Sequence, residues 1–442
     1  MKKVVNVVLL TSAFLSAHAG ARVIYGEDGR KEVSEAKAIH QKLALSTPSM
    51  VAVESIGAIG KDGSIDLLQT SFQDWIGAQG EPGAPSKFMS LIKRAKENAE
   101  ISKMAFCPGE RFVDQPNPGM CSGFLIAPDL IVTAGHCAEV PKACEGYKWV
   151  FDFKVDEDGS AGLGVNPDNI YSCKKIITKS LNMELATDFA IIQLDRKVIG
   201  REPLEIRYTG SVGSEAAIVV IGNPSGLPLK VTEGAKVRTN THSMYFTANL
   251  DTFQGNSGSA VFDAETNIVE GILVRGEEDF TFNAPKMCLE ANKCADDACR
   301  GEDVTRINSI PEIAFKKLLD KAAVKGDTLT LNVILSFNTW VDFYGKDGQS
   351  ALIKAAAVGM KKSLVILLAR GADVNLSDAN GNTALHHLAQ SKCADASAAL
   401  DTLITAKADL NARNNDGMTA MMLAEASGNV LTMMLLMQAG AL

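Results

Sequence analysis

Three short runs near the C-terminus share a phase: Gly348-Gln-Ser-Ala-Leu, Gly381-Asn-Thr-Ala-Leu-His and Gly417-Met-Thr-Ala-Met, whose glycines stand 33 and 36 residues apart. A repeat of this length restricts the fold sharply, because one unit is too small to bury a core alone and successive units must stack to share one. Each run opens an Ala-rich helical stretch, and a second apolar helix follows: Leu364-Val-Ile-Leu-Leu, Leu400-Asp-Thr-Leu-Ile and Leu431-Thr-Met-Met-Leu-Leu. Small alanines let paired helices approach closely, and glycines supply the tight turns between units. Shifting back 33 residues from Gly359 reaches Gly326-Asp327, so a degenerate first unit begins near Pro311 and about four units fill residues 311–442.

These runs, with Gly371-Ala-Asp-Val-Asn375 and Lys407-Ala-Asp-Leu-Asn411, resemble ankyrin repeats. The resemblance implies an all-α solenoid with a concave protein-binding face, its partner another protein or the chain's own preceding domain. The alternative is an array that only caps or stabilises its neighbour. No residue in it has a catalytic pattern. His386 and His387 fall at and just after the position where such repeats carry a packing histidine.

The other end of the chain reports its compartment. Lys2-Lys3, a mainly apolar run from Val4 to Leu15 and Ala17-His18-Ala19 follow the charged, apolar, small-x-small order of a secretory signal, residues 1–19. A dozen apolar residues are too few to anchor in a bilayer, and no later segment reaches the roughly 18 that a membrane helix needs. The chain therefore reads as exported, periplasmic or extracellular, without membrane insertion. With Lys2 and Lys3 gone and no acid lost, the formal charge moves from −8 to −10, which argues against a broad nucleic-acid surface.

Candidate chemistry lies between these ends. Cys121-Ser-Gly-Phe-Leu-Ile-Ala-Pro-Asp-Leu-Ile-Val-Thr-Ala-Gly-His136-Cys137 reads as a strand, a turn at Pro128-Asp129 and a second apolar strand ending at a histidine. Farther on stand Thr187-Asp188-Phe-Ala-Ile-Ile-Gln-Leu194 and Gly255-Asn256-Ser257-Gly258-Ser259. A serine hydroxyl is a poor nucleophile at neutral pH and needs a base within hydrogen-bond reach; histidine titrates in the right range, and a carboxylate fixes its tautomer. The three segments, in this order, resemble the trypsin family. That resemblance implies His136, Asp188 and Ser257 as a catalytic triad, the backbone N–H groups of Gly255 and Ser257 as an oxyanion hole, and a disulfide between Cys121 and Cys137. It extends over roughly residues 23–310, through Val219 to Gly226, Val261 to Gly276 and Val304-Thr-Arg-Ile307, which resemble second-barrel strands of bacterial serine proteases.

The resemblance also suggests a pocket. Asp251 stands six residues before Ser257, at the offset of the carboxylate that receives a substrate Arg or Lys, while Gly276 leaves the pocket wall open. A glutamyl preference is the rival, disfavoured because Leu273-Val-Arg275 lacks the histidine those enzymes use. Asn256 replaces the acid that pairs with a freed N-terminus in animal trypsins, and Phe253 stands in place of a cysteine. Arg22-Val23-Ile-Tyr-Gly26 looks like an activation site, yet lies nearly a hundred residues before Cys121.

Eight of nine cysteines precede the repeats and only Cys393 lies within them, an even-plus-one count that suits disulfides in an exported enzyme. Cys107, Cys144, Cys173, Cys288, Cys294 and Cys299 allow fifteen pairings. A zinc site at Cys288, Cys294 and Cys299 is the sharper alternative, with loose spacing and no nearby histidine. No metal or cofactor is expected.

The expected architecture is thus multidomain. It has a signal at 1–19 and an N-terminal segment at 20–105, holding a first strand plus an insertion or propeptide. An all-β double six-stranded barrel follows at 106–310, starting as early as 23, and then the all-α array at 311–442. The expected function is an exported serine endopeptidase cleaving proteins or peptides after Arg or Lys through an acyl-enzyme. A catalytically idle binding protein is the rival from another class.

Overall fold

The computed structural model describes residues 23–68, 71, 106–277, 279–283, 285–286, 288–337, 339–391 and 396–441. The segment read as an export signal lies outside the described residues, as do Cys393, the Gly77 to Pro85 stretch and the charged run from Phe88 to Met104.

Two sheets, each of seven strand segments, make up the first part of the chain. In the first, the order is Gly119–Ser122, Ser49–Ala52, Tyr147–Val150, Ile170–Asn182, Thr187–Leu194, Leu130–Thr133 and Phe124–Ala127. The two end segments are consecutive pieces of one extended run, 119–127, that bends at Gly123. The seven segments therefore trace six passes, and this run closes the sheet on itself by pairing at both edges. Every residue of Thr187–Leu194 is buried, which is why its sequence reads as an apolar run rather than an alternation.

The second sheet runs Ala217–Gly222, Ala260–Asp263, Val269–Arg275, Glu302–Arg306, Tyr245–Ala248, Lys230–Thr239 and Arg30–Glu32. Ala217–Gly222 also pairs with Lys230–Thr239, closing a ring of six and leaving Arg30–Glu32 as a seventh strand outside the ring. Phe124, Ile131, Trp149, Ile191 and Ile272 share one apolar core, and each such side chain stabilises the fold by about 1.5–3 kcal/mol on burial.

The N-terminal segment contributes to both sheets. Ile24–Tyr25 pairs in parallel with Lys293–Cys294, Arg30–Glu32 joins the second sheet, and Ser49–Ala52 is an interior strand of the first. Excision of 20–105 as a propeptide would remove that interior strand and Arg30–Glu32, while Ile56–Ile59 and Ile65–Leu67 form a separate two-stranded sheet.

From Pro311 the chain is helical, in successive pairs: Pro311–Lys325 with Thr328–Leu335, Ala351–Ala357 with Lys361–Ala369, Ala384–Gln390 with Ala396–Thr405, and Ala420–Ala426 with Val430–Gln438. The repeated Ser or Thr is the N-cap of each later first helix. Ser350 accepts from the Ile353 N–H, Thr419 accepts from that of Met422, and Thr383 forms a reciprocal capping box with His386. Ala351, Ala355, Ala384, Ala389, Ala420 and Ala424 are buried between helices, in a core separate from that of the barrels.

Candidate active site

Strand register assembles the site. Leu130–Thr133 pairs antiparallel with Thr187–Leu194, so the histidine that follows the first strand and the aspartate that begins the second meet at the same sheet end. Gly135 makes the turn possible, since a Cβ there would lie 2.1 Å from the Ser180 carbonyl oxygen and 2.9 Å from the Phe189 nitrogen. His136 Nδ1 stands 3.0 Å from Asp188 Oδ2, and the His136 backbone N–H donates to Asp188 Oδ1 at 3.1 Å. The Asp188 side chain is 2% exposed and that of His136 26% exposed, so the carboxylate is withdrawn from water while the ring keeps an open face.

Ser257 comes from the other sheet. The Ser122 N–H donates to the Ser257 carbonyl at 2.8 Å, and Cys137 Sγ lies 3.8 Å from that same oxygen. Since Cys137 is disulfide-bonded to Cys121, this is a contact between the histidine turn and the serine loop, not a thiol hydrogen bond. Gly255 has φ of 95°, a left-handed conformation that L side chains seldom adopt; a Cβ there would also approach the Gly226 nitrogen to 2.6 Å. Beside it opens a cleft of ≈ 340 Å³ lined by Asn117, Met120, Tyr147, Ser225, Gln254 and Gly255 among others.

Ser122 is a contributor that motif reading missed. Its hydroxyl donates to the Gly255 carbonyl at 3.0 Å and accepts from the Asn223 N–H at 2.9 Å, tying the serine loop to both sheets. Its place next to Cys121 was the only available signal, and a serine there is unremarked by any local pattern.

The expected pocket residues have these surroundings. Asp251 was expected on the pocket floor, but Oδ1 accepts from the Tyr25 N–H at 2.6 Å and Oδ2 from the Gly29 N–H at 2.7 Å. The carboxylate fastens the N-terminal segment. Burial pushes its pKa up to about 6, against the pull of those two N–H groups. Gly276 does not leave an open wall either. A Cβ there would lie 1.9 Å and 2.1 Å from the two carboxylate oxygens of Glu302, a fully buried side chain that accepts from Thr252 Oγ1 at 3.0 Å.

The remaining cysteines resolve into Cys107–Cys288, Cys144–Cys173 and Cys294–Cys299, so the sulfurs of the zinc alternative are all in disulfides. The ligand-type atoms of Cys121, His136 and Cys137 lie within 4.8 Å of one another, a proximity that the Cys121–Cys137 disulfide accounts for. His40 is buried, with Nδ1 2.6 Å from Glu233 Oε1, and His242 Nδ1 accepts from the Met244 N–H. Each of these histidines is engaged away from Ser257.

Residues 121–272 match the family described as the trypsin-like peptidase domain. No curated protein matches the chain. The family match and the two barrel-like sheets support a trypsin-like protease, a hydrolase with peptide substrates. The disulfides are compatible with an exported protein, and among the described residues no helix is long and apolar enough to cross a membrane.

Proposed function

We propose that the protein is an exported serine endopeptidase in which Ser257 is the nucleophile, His136 the general base and then general acid, and Asp188 the group that orients the imidazole. The observation that carries this reading is the bond between His136 Nδ1 and the buried Asp188, which leaves Nε2 as the nitrogen for the serine. During attack Ser257 Oγ bonds to the substrate carbonyl carbon and its proton passes to Nε2. The same proton is then delivered to the leaving amine, and water repeats the sequence on the acyl-enzyme. The N–H groups of Gly255 and Ser257 receive the oxyanion, each worth ~3 kcal/mol in the transition state. The cleft beside Gly255 takes the leaving-group side of the peptide.

A preference for Arg or Lys rests, in this reading, on Glu302 rather than Asp251, because Glu302 is the carboxylate set against Gly276 and Thr252. The C-terminal helical pairs are read as ankyrin repeats, on the capped Gly-x-Ser/Thr-Ala runs.

The test is hydrolysis of short Arg, Lys, Glu and Phe esters by the mature protein and by Ser257→Ala, Glu302→Gln and Asp251→Asn. Turnover that vanishes in Ser257→Ala and loses its Arg and Lys preference in Glu302→Gln supports the reading. No turnover of any ester sinks the enzyme; cleavage only after Glu sinks the pocket assignment.

A further inference from the structure

The helical region does not hang free of the barrels. Its first helix and its first two inter-unit loops lie against the first sheet. Ile313, Phe343 and Tyr344 are buried in the barrels' own core, with Trp340 and Leu376 packed at its margin. Lys175 Nζ stands 4.9 Å from the centre of the Trp340 ring, and Lys197 Nζ donates to the Asp378 carbonyl at 2.6 Å.

The centre of this contact is polar and falls on two particular strands. Tyr344 Oη donates to Asp129 Oδ1 at 2.5 Å. Gln193 Nε2 donates to Asp129 Oδ2 at 3.0 Å and approaches Tyr344 Oη to 3.3 Å. Asp129 is the turn that starts Leu130–Thr133, the strand running into Gly135 and His136, and Gln193 lies on Thr187–Leu194, the strand that carries Asp188. Leu130 faces Gln193 in the register, and the Leu194 N–H donates to the Asp129 carbonyl at 2.8 Å. The same two strands are therefore joined at one end by His136 and Asp188 and at the other by a triangle whose third corner belongs to the helical region.

We infer that the helical array is a brace acting in cis on the catalytic strands, with Tyr344 as a positioning residue that fixes His136 against Asp188 from the far end of their shared ladder. The inference rests on the protease reading for its effect on turnover, though not for its effect on the imidazole. It follows that the loops around Tyr344 and Asp378 are engaged by the chain's own barrel, and that an outside partner must use other faces of the array. The physical basis is that the ring fills a core site, so only the hydroxyl can report on the triangle. Removing that hydroxyl takes one of two side-chain donors from the Asp129 carboxylate, leaving Gln193, while the ring still fills its site.

The test uses the full chain. Tyr344→Phe keeps the ring and loses the donor; Gln193→Met removes the amide corner from the barrel side and leaves the array untouched. Two readouts are taken: kcat and KM on the best ester substrate, and the low-field proton NMR signal of the His136 Nδ1–H, assigned with His136→Ala. In Tyr344→Phe we expect kcat to fall about tenfold with KM nearly unchanged, as when a reacting pair is held less well, and the His136 signal to broaden or shift. Gln193→Met should move both readouts in the same direction by less. Unchanged kcat and an unchanged signal in both variants would overturn the brace, whatever happens to the melting temperature. If the wild type turns over nothing, the protease reading fails while the His136 signal still judges the coupling.

Discussion

Both regions of this molecule contain a histidine hydrogen-bonded to a buried aspartate, and only one of the pairs has the surroundings of a catalyst. In the barrels, His136 Nδ1 is 3.0 Å from Asp188; in the helical array, His387 Nε2 is 2.7 Å from Asp378. Asp378 is spent on local structure, since it also accepts from the Asn380 and Asn382 N–H groups, and these with His387 hold its carboxyl below the usual range against the cost of burial. Asp188 instead accepts from the backbone and ring of one histidine, whose turn touches the serine loop of the other sheet. In the function proposed above, a His–Asp pair becomes chemistry only where two separate sheets bring a nucleophile to it.

The sharpest way to break the comparison is by substitution in each pair. Ser257→Ala or His136→Ala should lower kcat by about 10⁶-fold, and Asp188→Asn by about 10⁴-fold. His387→Ala should leave kcat within assay error. Ester kinetics on purified full-length variants check this, and a comparable loss in His387→Ala would erase the distinction.

The regions also differ in how they carry load. The two barrels share one apolar core, whereas helical pairs read as a stacked array would divide into neighbouring units. Leu367→Ala, at a fully buried array position, should cost about 2–5 kcal/mol and separate an array transition from barrel unfolding in calorimetry. A single unshifted transition would contradict this.

Each region holds one buried acid pushed up to about 6, mainly by burial: Asp251 in the second barrel and Asp342 in the loop before Gly345. A carboxyl whose folded pKa is raised stabilises the fold most below its unfolded value, and that contribution is lost as pH rises through the folded one. Wild-type stability should therefore fall by up to about 3 kcal/mol per group as pH climbs from about 4 to 6. Asp251→Asn and Asp342→Asn should each flatten part of that slope in denaturant titrations; parallel slopes would refute the assignment. The smallest effect expected is from Thr419→Ala, about 1 kcal/mol for a lost N-cap, read in the array transition alone.

What the sequence made legible follows from how local each signal is. His136, Asp188 and Ser257 sit in short runs whose strands and turns can be read without knowing what lies opposite. Ser350, Thr383 and Thr419 likewise announce helix starts within four residues. The partners of Asp251, Tyr25 and Gly29, were not legible because they are 226 and 222 residues away in sequence, and a carboxylate carries no mark of which backbone will claim it. Glu302 carries no local mark of its burial behind Gly276, which depends on two strands meeting. The interior strand Ser49–Ala52 was hidden because a long insertion separates it from its neighbour Gly119–Ser122. Tyr344 reads as one aromatic in a loop until the barrel surface is placed against it.

The central claim is that Ser257 forms a covalent acyl-enzyme with His136 as its base. Rapid mixing of the purified protein with an excess of a chromogenic ester of the preferred residue tests it most directly. The account predicts a burst of released alcohol close to one per protein molecule before the steady state, absent in Ser257→Ala and retained in His387→Ala. Turnover in the wild type that persists in Ser257→Ala, or no turnover at all, would contradict it.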